Sequence, residues 1–183
     1  MSNNETVKIA ISGGMGKMGL LLSEFIENKD GYDISGIFDP EKESNTYHNY
    51  KSIDEINADI LVEFSPANSI NENLTVLAKK KINLVVGSSG INERSLEVLK
   101  SNIDDDQFIC IIPNFSIGAS FQKIFSGLLN NNFPEVSIEE RHHNNKKDSP
   151  SGTAVDMAQS LEHEERTSTE IQESSDYEEN IIN

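Results

Sequence analysis

The run Val7-Lys8-Ile9-Ala10-Ile11 leads directly into Ser12-Gly13-Gly14-Met15-Gly16-Lys17-Met18-Gly19, and this junction constrains the fold more than any other stretch. A short, β-branched, apolar run of this kind reads as a buried parallel strand. From Lys17 onward, Met18, Leu21, Leu22, Phe25 and Ile26 recur at spacings of three and four, the stripe of a helix with one apolar face. The glycines between strand and helix permit a tight turn and close backbone approach. The helix start offers N–H groups and partial positive charge to a phosphate. A glycine turn built only for helix-on-sheet packing would show the same residues, so the surroundings must decide.

The next strand, Tyr32 to Phe38, ends at Asp39, twenty residues beyond Gly19, where an acid can accept hydrogen bonds from an adenosine ribose. Pro40 follows and cannot donate to a 2′-phosphate, which favours NADH, while Lys17 and Lys42 can supply the cations that keep NADPH open. Further strands are expected at Ile60–Phe64, Leu84–Val86 and Phe108–Ile112. Helices are expected at Ile70–Lys80 and around Leu96–Leu99. Strands alternating with helices over short connections imply a parallel sheet covered on both faces, a Rossmann-like, doubly wound α/β fold. Each strand ends in small or polar residues: Ser12-Gly13-Gly14, Asp39, Ser65, Gly87-Ser88-Ser89-Gly90 and Asn114. Ligands of such sheets sit at those carboxyl ends.

The pattern changes after residue 115, where a domain boundary is expected. Phe115 to Leu129 reads as a helix with Phe121, Ile124, Phe125 and Leu128 on one stripe, and Val136-Ser137-Ile138 alternates like a strand with one wet face. The first domain is accordingly 1–115 and the second 116–183. Residues 161–183 hold eight acids against one arginine and few large apolar groups, too few to build a core.

Composition narrows the function classes. The net charge of −16 leaves no broad basic face to neutralise phosphates, which argues against nucleic acid. The single cysteine, Cys110, forbids an internal disulfide, and its setting among Phe108, Ile109, Ile111 and Ile112 suggests a buried structural thiol. No run approaches the roughly 18 apolar residues of a membrane span, and the first residues lack a signal-peptide pattern, so a cytoplasmic protein is expected.

One segment runs against the acidic background. Glu139 to Ala154 reads Glu-Glu-Arg-His-His-Asn-Asn-Lys-Lys-Asp-Ser-Pro-Ser-Gly-Thr-Ala, and between Arg141 and Asp148 the cations Arg141, Lys146 and Lys147 outweigh the one acid, Asp148. A cationic island with imidazoles can hold a small polyanion and exchange protons with it, although a solvated loop would have the same composition. Adjacent histidines on a strand point to opposite faces, and no cysteine or carboxylate cluster completes a site, so no metal is expected.

Five motifs in order resemble the 4-hydroxy-tetrahydrodipicolinate reductase (dihydrodipicolinate reductase) family. They are Gly13 to Gly19, Glu63-Phe64-Ser65, Gly87-Ser88-Ser89-Gly90, Pro113-Asn114-Phe115-Ser116-Ile117-Gly118, and the stretch ending Asp148-Ser149-Pro150-Ser151-Gly152-Thr153-Ala154. The resemblance implies NAD(P)H-dependent reduction in diaminopimelate and lysine biosynthesis, acting on a small dicarboxylate. It implies that Gly13, Gly14, Met15, Gly16, Lys17, Met18 and Asp39 hold the cofactor's pyrophosphate and ribose. Gly87, Ser88, Ser89, Ile112, Pro113, Asn114 and Phe115 would line its nicotinamide side. His142 matches the catalytic histidine, Lys146 the proton-donating lysine, His143 a substrate contact, and Gly152 and Thr153 the carboxylate pocket. The chemistry agrees: hydride addition to a conjugated cyclic imine leaves electron density that a nearby proton donor must quench. Crowding by Lys147 or Arg141 would lower the affinity of Lys146 for its proton.

The chain departs from the family pattern at several places. Glu63 and Ser65 stand for a more usual Asp and Thr, and Asn145 for a histidine. Family members continue with further strands of the substrate domain and form a homotetramer through them. The expectation is therefore a C-terminally truncated reductase with an incomplete α+β substrate domain, its helix stripe partly bare and its tetramer in doubt. A non-catalytic dinucleotide-binding module is the alternative. A homoserine-type dehydrogenase would leave the His-His-x-x-Lys and Pro-Ser-Gly-Thr motifs as coincidence.

Overall fold

The computed structural model describes residues 6–112, 114–133, 135–141 and 150–161. The chain divides into two compact units, residues 1–115 and 116–183.

Five strands of the first unit, β1 (Val7–Ser12), β2 (Tyr32–Phe38), β3 (Ile60–Glu63), β4 (Asn83–Val86) and β5 (Ile109–Ile111), form one sheet in the order β2-β1-β3-β4-β5. Every neighbouring pair is parallel. Parallel neighbours need crossovers. These are α1 (Lys17–Glu27) between β1 and β2, α2 (Ile70–Leu77) between β3 and β4, and α3 (Glu93–Asn102) between β4 and β5. The sheet grows from β1 to one side with β2, then to the other with β3, so the chain reverses direction beside β1. The doubly wound α/β fold read from the alternation is the fold observed.

Alternation along the strands divides the core in two. Ala10, Leu61, Leu84 and Val86 point to the face covered by α2 and α3, with Ile70, Leu74, Leu77 and Leu99. Ile9, Ile11, Ile37 and Val62 point to the face covered by α1, with Ile26 and the partly buried Leu22. Here the helix departs from its expected stripe. Gly19, Ser23 and Ile26 are buried, while Met18, Leu21 and Phe25 are exposed. The cause lies at Gly19, where a Cβ would stand 2.5 Å from the backbone of Gly14. That backbone contact sets the rotation of α1 about its axis, and hydrophobicity follows. Cys110, expected to be buried, is half-buried on β5.

Among the described residues of the second unit are α4 (Ile117–Leu129), a 3-10 turn at Asn130–Asn132 and α5 (Gly152–Leu161). The side chain of Ser116 caps α4, accepting from the Ala119 amide. Helix α4 buries none of its residues, and Phe121 and Phe125 stack in parallel with ring centroids 5.9 Å apart. Val136–Ile138, expected as a strand, belongs to no sheet. A strand is defined by its ladder partner, and none stands beside these residues among those described. No helix among the described residues is long and apolar enough to cross a membrane.

Candidate functional site

The carboxyl ends of β1 and β3 adjoin at the point where the sheet changes direction, and the glycine loop occupies it. In doubly wound sheets this is where the ligand crevice opens. Gly13 takes φ +69°, a left-handed conformation that suits glycine. Its N–H donates to the Phe38 carbonyl at 2.8 Å, and its own carbonyl accepts from Gly16 N at 3.1 Å, which closes the turn.

The loop glycines serve different contacts. A Cβ on Gly13 would lie 2.8 Å from the Phe64 carbonyl group, and one on Gly14 would lie 2.3 Å from the Ile37 side chain. Both are therefore packing positions. Gly16 differs: it is exposed, and a Cβ there would meet only the Gly13 carbonyl oxygen, at 3.2 Å. It is also the N-cap of α1, whose first turn has no acidic residue and no side-chain cap. An anion can approach the helix start there, a fit to a dinucleotide pyrophosphate.

Asp39 sits beside this loop at the end of β2. One carboxylate oxygen accepts from the Met15 amide at 3.2 Å, the other from the Glu41 and Lys42 amides at 3.1 Å each. A hollow of about 270 Å³ opens next to it, lined by Phe38, Asp39, Lys42, Asn49, Tyr50 and Lys51. Lys51 is bound to Glu43 at 2.6 Å. Lys17 and Met18 are exposed at the start of α1.

On the far side of β3, Gly87 N donates to the Glu63 carbonyl at 3.0 Å and Ile112 N to the Val86 carbonyl at 2.8 Å, extending the ladder past the strand ends. Gly87 lies between the rings of Phe64 and Phe115, each 2.5 Å from where its Cβ would be, and the two rings meet edge to face. Ser88 is buried, Ser89 exposed and Asn114 half-buried. The structure thus brings together the glycine loop, Asp39, Gly87, Ser88, Ile112 and Phe115 along one edge of the sheet.

Sequence reasoning missed a buried polar network beneath that edge. Glu63 is wholly buried, accepting from Ser65 N at 2.6 Å and Asn73 Nδ2 at 3.3 Å. Asn73 also donates to Ser65 Oγ at 2.9 Å, and Ser65 Oγ and Ser12 Oγ share a hydrogen bond of 3.0 Å. Burial pushes the Glu63 carboxyl above the ordinary carboxylate range, against the pull of the bonds from Ser65, Ser12 and Asn73. The available signals were a lone acid closing an otherwise apolar strand and the Glu63-Phe64-Ser65 motif, neither of which shows what the carboxyl bonds.

In the second unit, Gly152 and Thr153 open α5 and are exposed. Ser151 caps that helix by accepting from the Ala154 amide, and its own N–H donates to Glu140 at 2.8 Å. His142, His143, Lys146 and Pro113 lie outside the described residues. No cluster of three metal-ligating side chains occurs among the described residues.

The sheet and its glycine loop define a Rossmann-like α/β protein of the dinucleotide-binding class. Residues 7–115 match the family profile described as dihydrodipicolinate reductase, N-terminus, and residues 116–182 match dihydrodipicolinate reductase, C-terminus. The chain belongs to the dihydrodipicolinate reductase family. It is 34% identical over 155 residues to a 4-hydroxy-tetrahydrodipicolinate reductase of Legionella pneumophila subsp. pneumophila, covering 84% of this chain and 62% of that one. It is 28% identical over 172 residues to the Dictyoglomus turgidum protein of the same name, covering 86% and 64%. The chain therefore spans less than two thirds of the length of these two relatives. A solved structure, a dipicolinate-bound dihydrodipicolinate reductase from Paenisporosarcina sp. TG-14, shares the fold. Its TM-score is 0.66 at 24% identity, with 95% of this chain and 72% of that one covered.

Proposed function

We propose that this chain provides the cofactor domain and part of the substrate domain of a 4-hydroxy-tetrahydrodipicolinate reductase, acting in diaminopimelate and lysine biosynthesis. The observation that carries the reading is the glycine loop at the sheet's reversal point, open at Gly16 and flanked by Asp39, in a chain matched by both halves of one reductase family. A reduced nicotinamide dinucleotide supplies the hydride when bound. The start of α1 and Gly16 hold its pyrophosphate, and Asp39 its ribose hydroxyls. The carboxylate of Asp39, the donorless Pro40 and the engagement of Lys51 by Glu43 favour NADH over NADPH. Gly87, Ser88, Ser89, Ile112, Pro113, Asn114 and Phe115 shape the nicotinamide side.

The second unit supplies the proton and the substrate's anchors. Lys146 delivers the proton that quenches the reduced ring, and His142 is the catalytic histidine. His143, Gly152 and Thr153 take the substrate carboxylates. Their place in the exposed first turn of α5 suits that role.

Titration of the chain with NADH, repeated with pyridine-2,6-dicarboxylate present, tests the reading. Mutual tightening is the expected result, because hydride transfer requires the nicotinamide and the substrate ring to be in contact. NADH binding indifferent to the dicarboxylate leaves a cofactor-binding module, and absence of NADH binding removes the reading.

A further inference from the structure

Glu63 presents a physical puzzle. A carboxylate with 0% exposure and, among the described residues, no cation bonded to it is costly, and an apolar residue would end the strand as well. Its surroundings explain what the cost secures. The carboxylate reaches forward to the Ser65 amide and sideways to Asn73 on α2, so it pins the Phe64–Ser65 turn from two directions. Ser65 in turn is joined through its hydroxyl to Ser12, the last residue of β1. The main-chain carbonyl of Glu63 accepts from both Gly87 N, at 3.0 Å, and Ser88 Oγ, at 3.2 Å.

Two loops rest on the turn so fixed. Gly13 has no room to spare against it: a Cβ would lie 2.8 Å from Phe64 C and O and 3.0 Å from Ser65 N. Gly87 is seated with equal tightness on the Phe64 ring. A displacement of the turn by a few tenths of an ångström would move both the glycine loop and the Gly87–Ser88 turn. Close-packed interiors transmit such shifts instead of absorbing them.

We propose that Glu63 is a positioning residue for cofactor binding, its buried carboxylate locking the Phe64–Ser65 turn on which the glycine loop and the Gly87–Ser88 turn are both seated. The inference rests on the dinucleotide reading of the site. Glu63 touches no ligand; it acts through Gly13 and Gly87.

The test is NADH affinity, by fluorescence titration, for the wild-type chain and for Glu63→Ala, Glu63→Asp and Leu99→Ala, with the folded fraction of each measured by thermal unfolding. Glu63→Ala should weaken NADH binding about tenfold, through lost hydrogen bonds that order both loops. Glu63→Asp should stay within about threefold of wild type, since an aspartate accepts readily from the amide two residues on. Leu99→Ala removes core packing where α3 meets α2, without touching the hydrogen bonds of Glu63, and should lower stability while leaving the affinity of the folded fraction unchanged. Should Glu63→Ala not fold, Asn73→Ala removes one of the two pins and should weaken binding about threefold. Wild-type affinity in a folded Glu63→Ala or Asn73→Ala chain overturns the proposal, as does an equal loss in Leu99→Ala. A wild-type chain that does not bind NADH is a different failure: it removes the cofactor reading, and this inference with it.

Discussion

Both oxygens of Asp39 are engaged by main-chain amides before any ligand arrives. One closes the turn at Glu41 and Lys42, and the other reaches across to Met15 in the glycine loop. Neutralising the side chain while keeping its shape separates the two duties. Asp39→Asn should preserve the turn, weaken NADH by about threefold to tenfold and narrow the gap between NADH and NADPH, because a 2′-phosphate no longer meets a like charge. Paired titrations with the two cofactors measure it, and an unchanged ratio would remove Asp39 from cofactor discrimination. Glu63 yields a second prediction, in pH. Its folded carboxyl holds a proton more tightly than the unfolded one, whose ordinary value is 4.5. Its contribution to stability is therefore fully present below that value and is lost as pH rises through the raised folded value. Glu63→Gln cannot titrate. Relative to wild type it should gain stability from pH 4.5 upward and then level off, a divergence readable by urea unfolding at several pH values. Parallel curves would mean that Glu63 does not carry its charge change into folding. Spacing alone made Asp39 legible in the sequence. Glu63 was legible only as part of a motif, because its bonding depends on Ser12 and Asn73, which only folding brings to it.

At the scale of the element, α1 separates what a sequence pattern specifies from what packing decides. The existence of the helix follows from apolar recurrence and from glycines that end the strand before it. Its rotation does not, because hydrophobicity marks Met18, Leu21 and Phe25 as readily as Leu22 and Ile26. The contact of Gly19 with Gly14 decides the matter, and it turns Leu21 and Phe25 outward to 60% and 58% exposure. Gly19→Ala should therefore cost about 1–3 kcal/mol, since the nearest atoms are backbone and cannot step aside. Ile26→Ala should cost about 2–4 kcal/mol as a cavity in the core. Leu21→Gln should change stability by no more than about 0.5 kcal/mol. Denaturant midpoints of the three variants check this, and a costly Leu21→Gln would show that α1 buries the other stripe. The strand expected at Val136–Ile138 has no ladder among the described residues for a related reason: alternation supplies a face, but a ladder needs a neighbour, which no local pattern can provide. The five sheet strands were legible because each has such a neighbour and an apolar run to fill it.

At the scale of the molecule, the division of the core leads to one more prediction. Every residue of both hydrophobic clusters lies between Val7 and Ile109, so the whole layered core belongs to the first unit. In the second unit the buried apolar residues among those described are Met157 and Leu161, while Ile117, Phe121, Ile124, Phe125 and Leu128 are all more than half exposed. A fragment of residues 1–115 should therefore fold by itself. The cut must fall after Phe115, because its ring packs against Gly87 and Phe64 and so helps to shape the Gly87–Ser88 turn. This fragment is expected to unfold cooperatively and to bind NADH within about threefold of the whole chain, since every residue assigned to the cofactor lies within it. It should be indifferent to pyridine-2,6-dicarboxylate, whose assigned contacts all lie beyond residue 140. Thermal unfolding and calorimetric titration of the fragment read all three properties. A fragment that folds but loses NADH would place part of the cofactor site in residues 116–183. One that also responds to the dicarboxylate would return the substrate's anchors to the first unit.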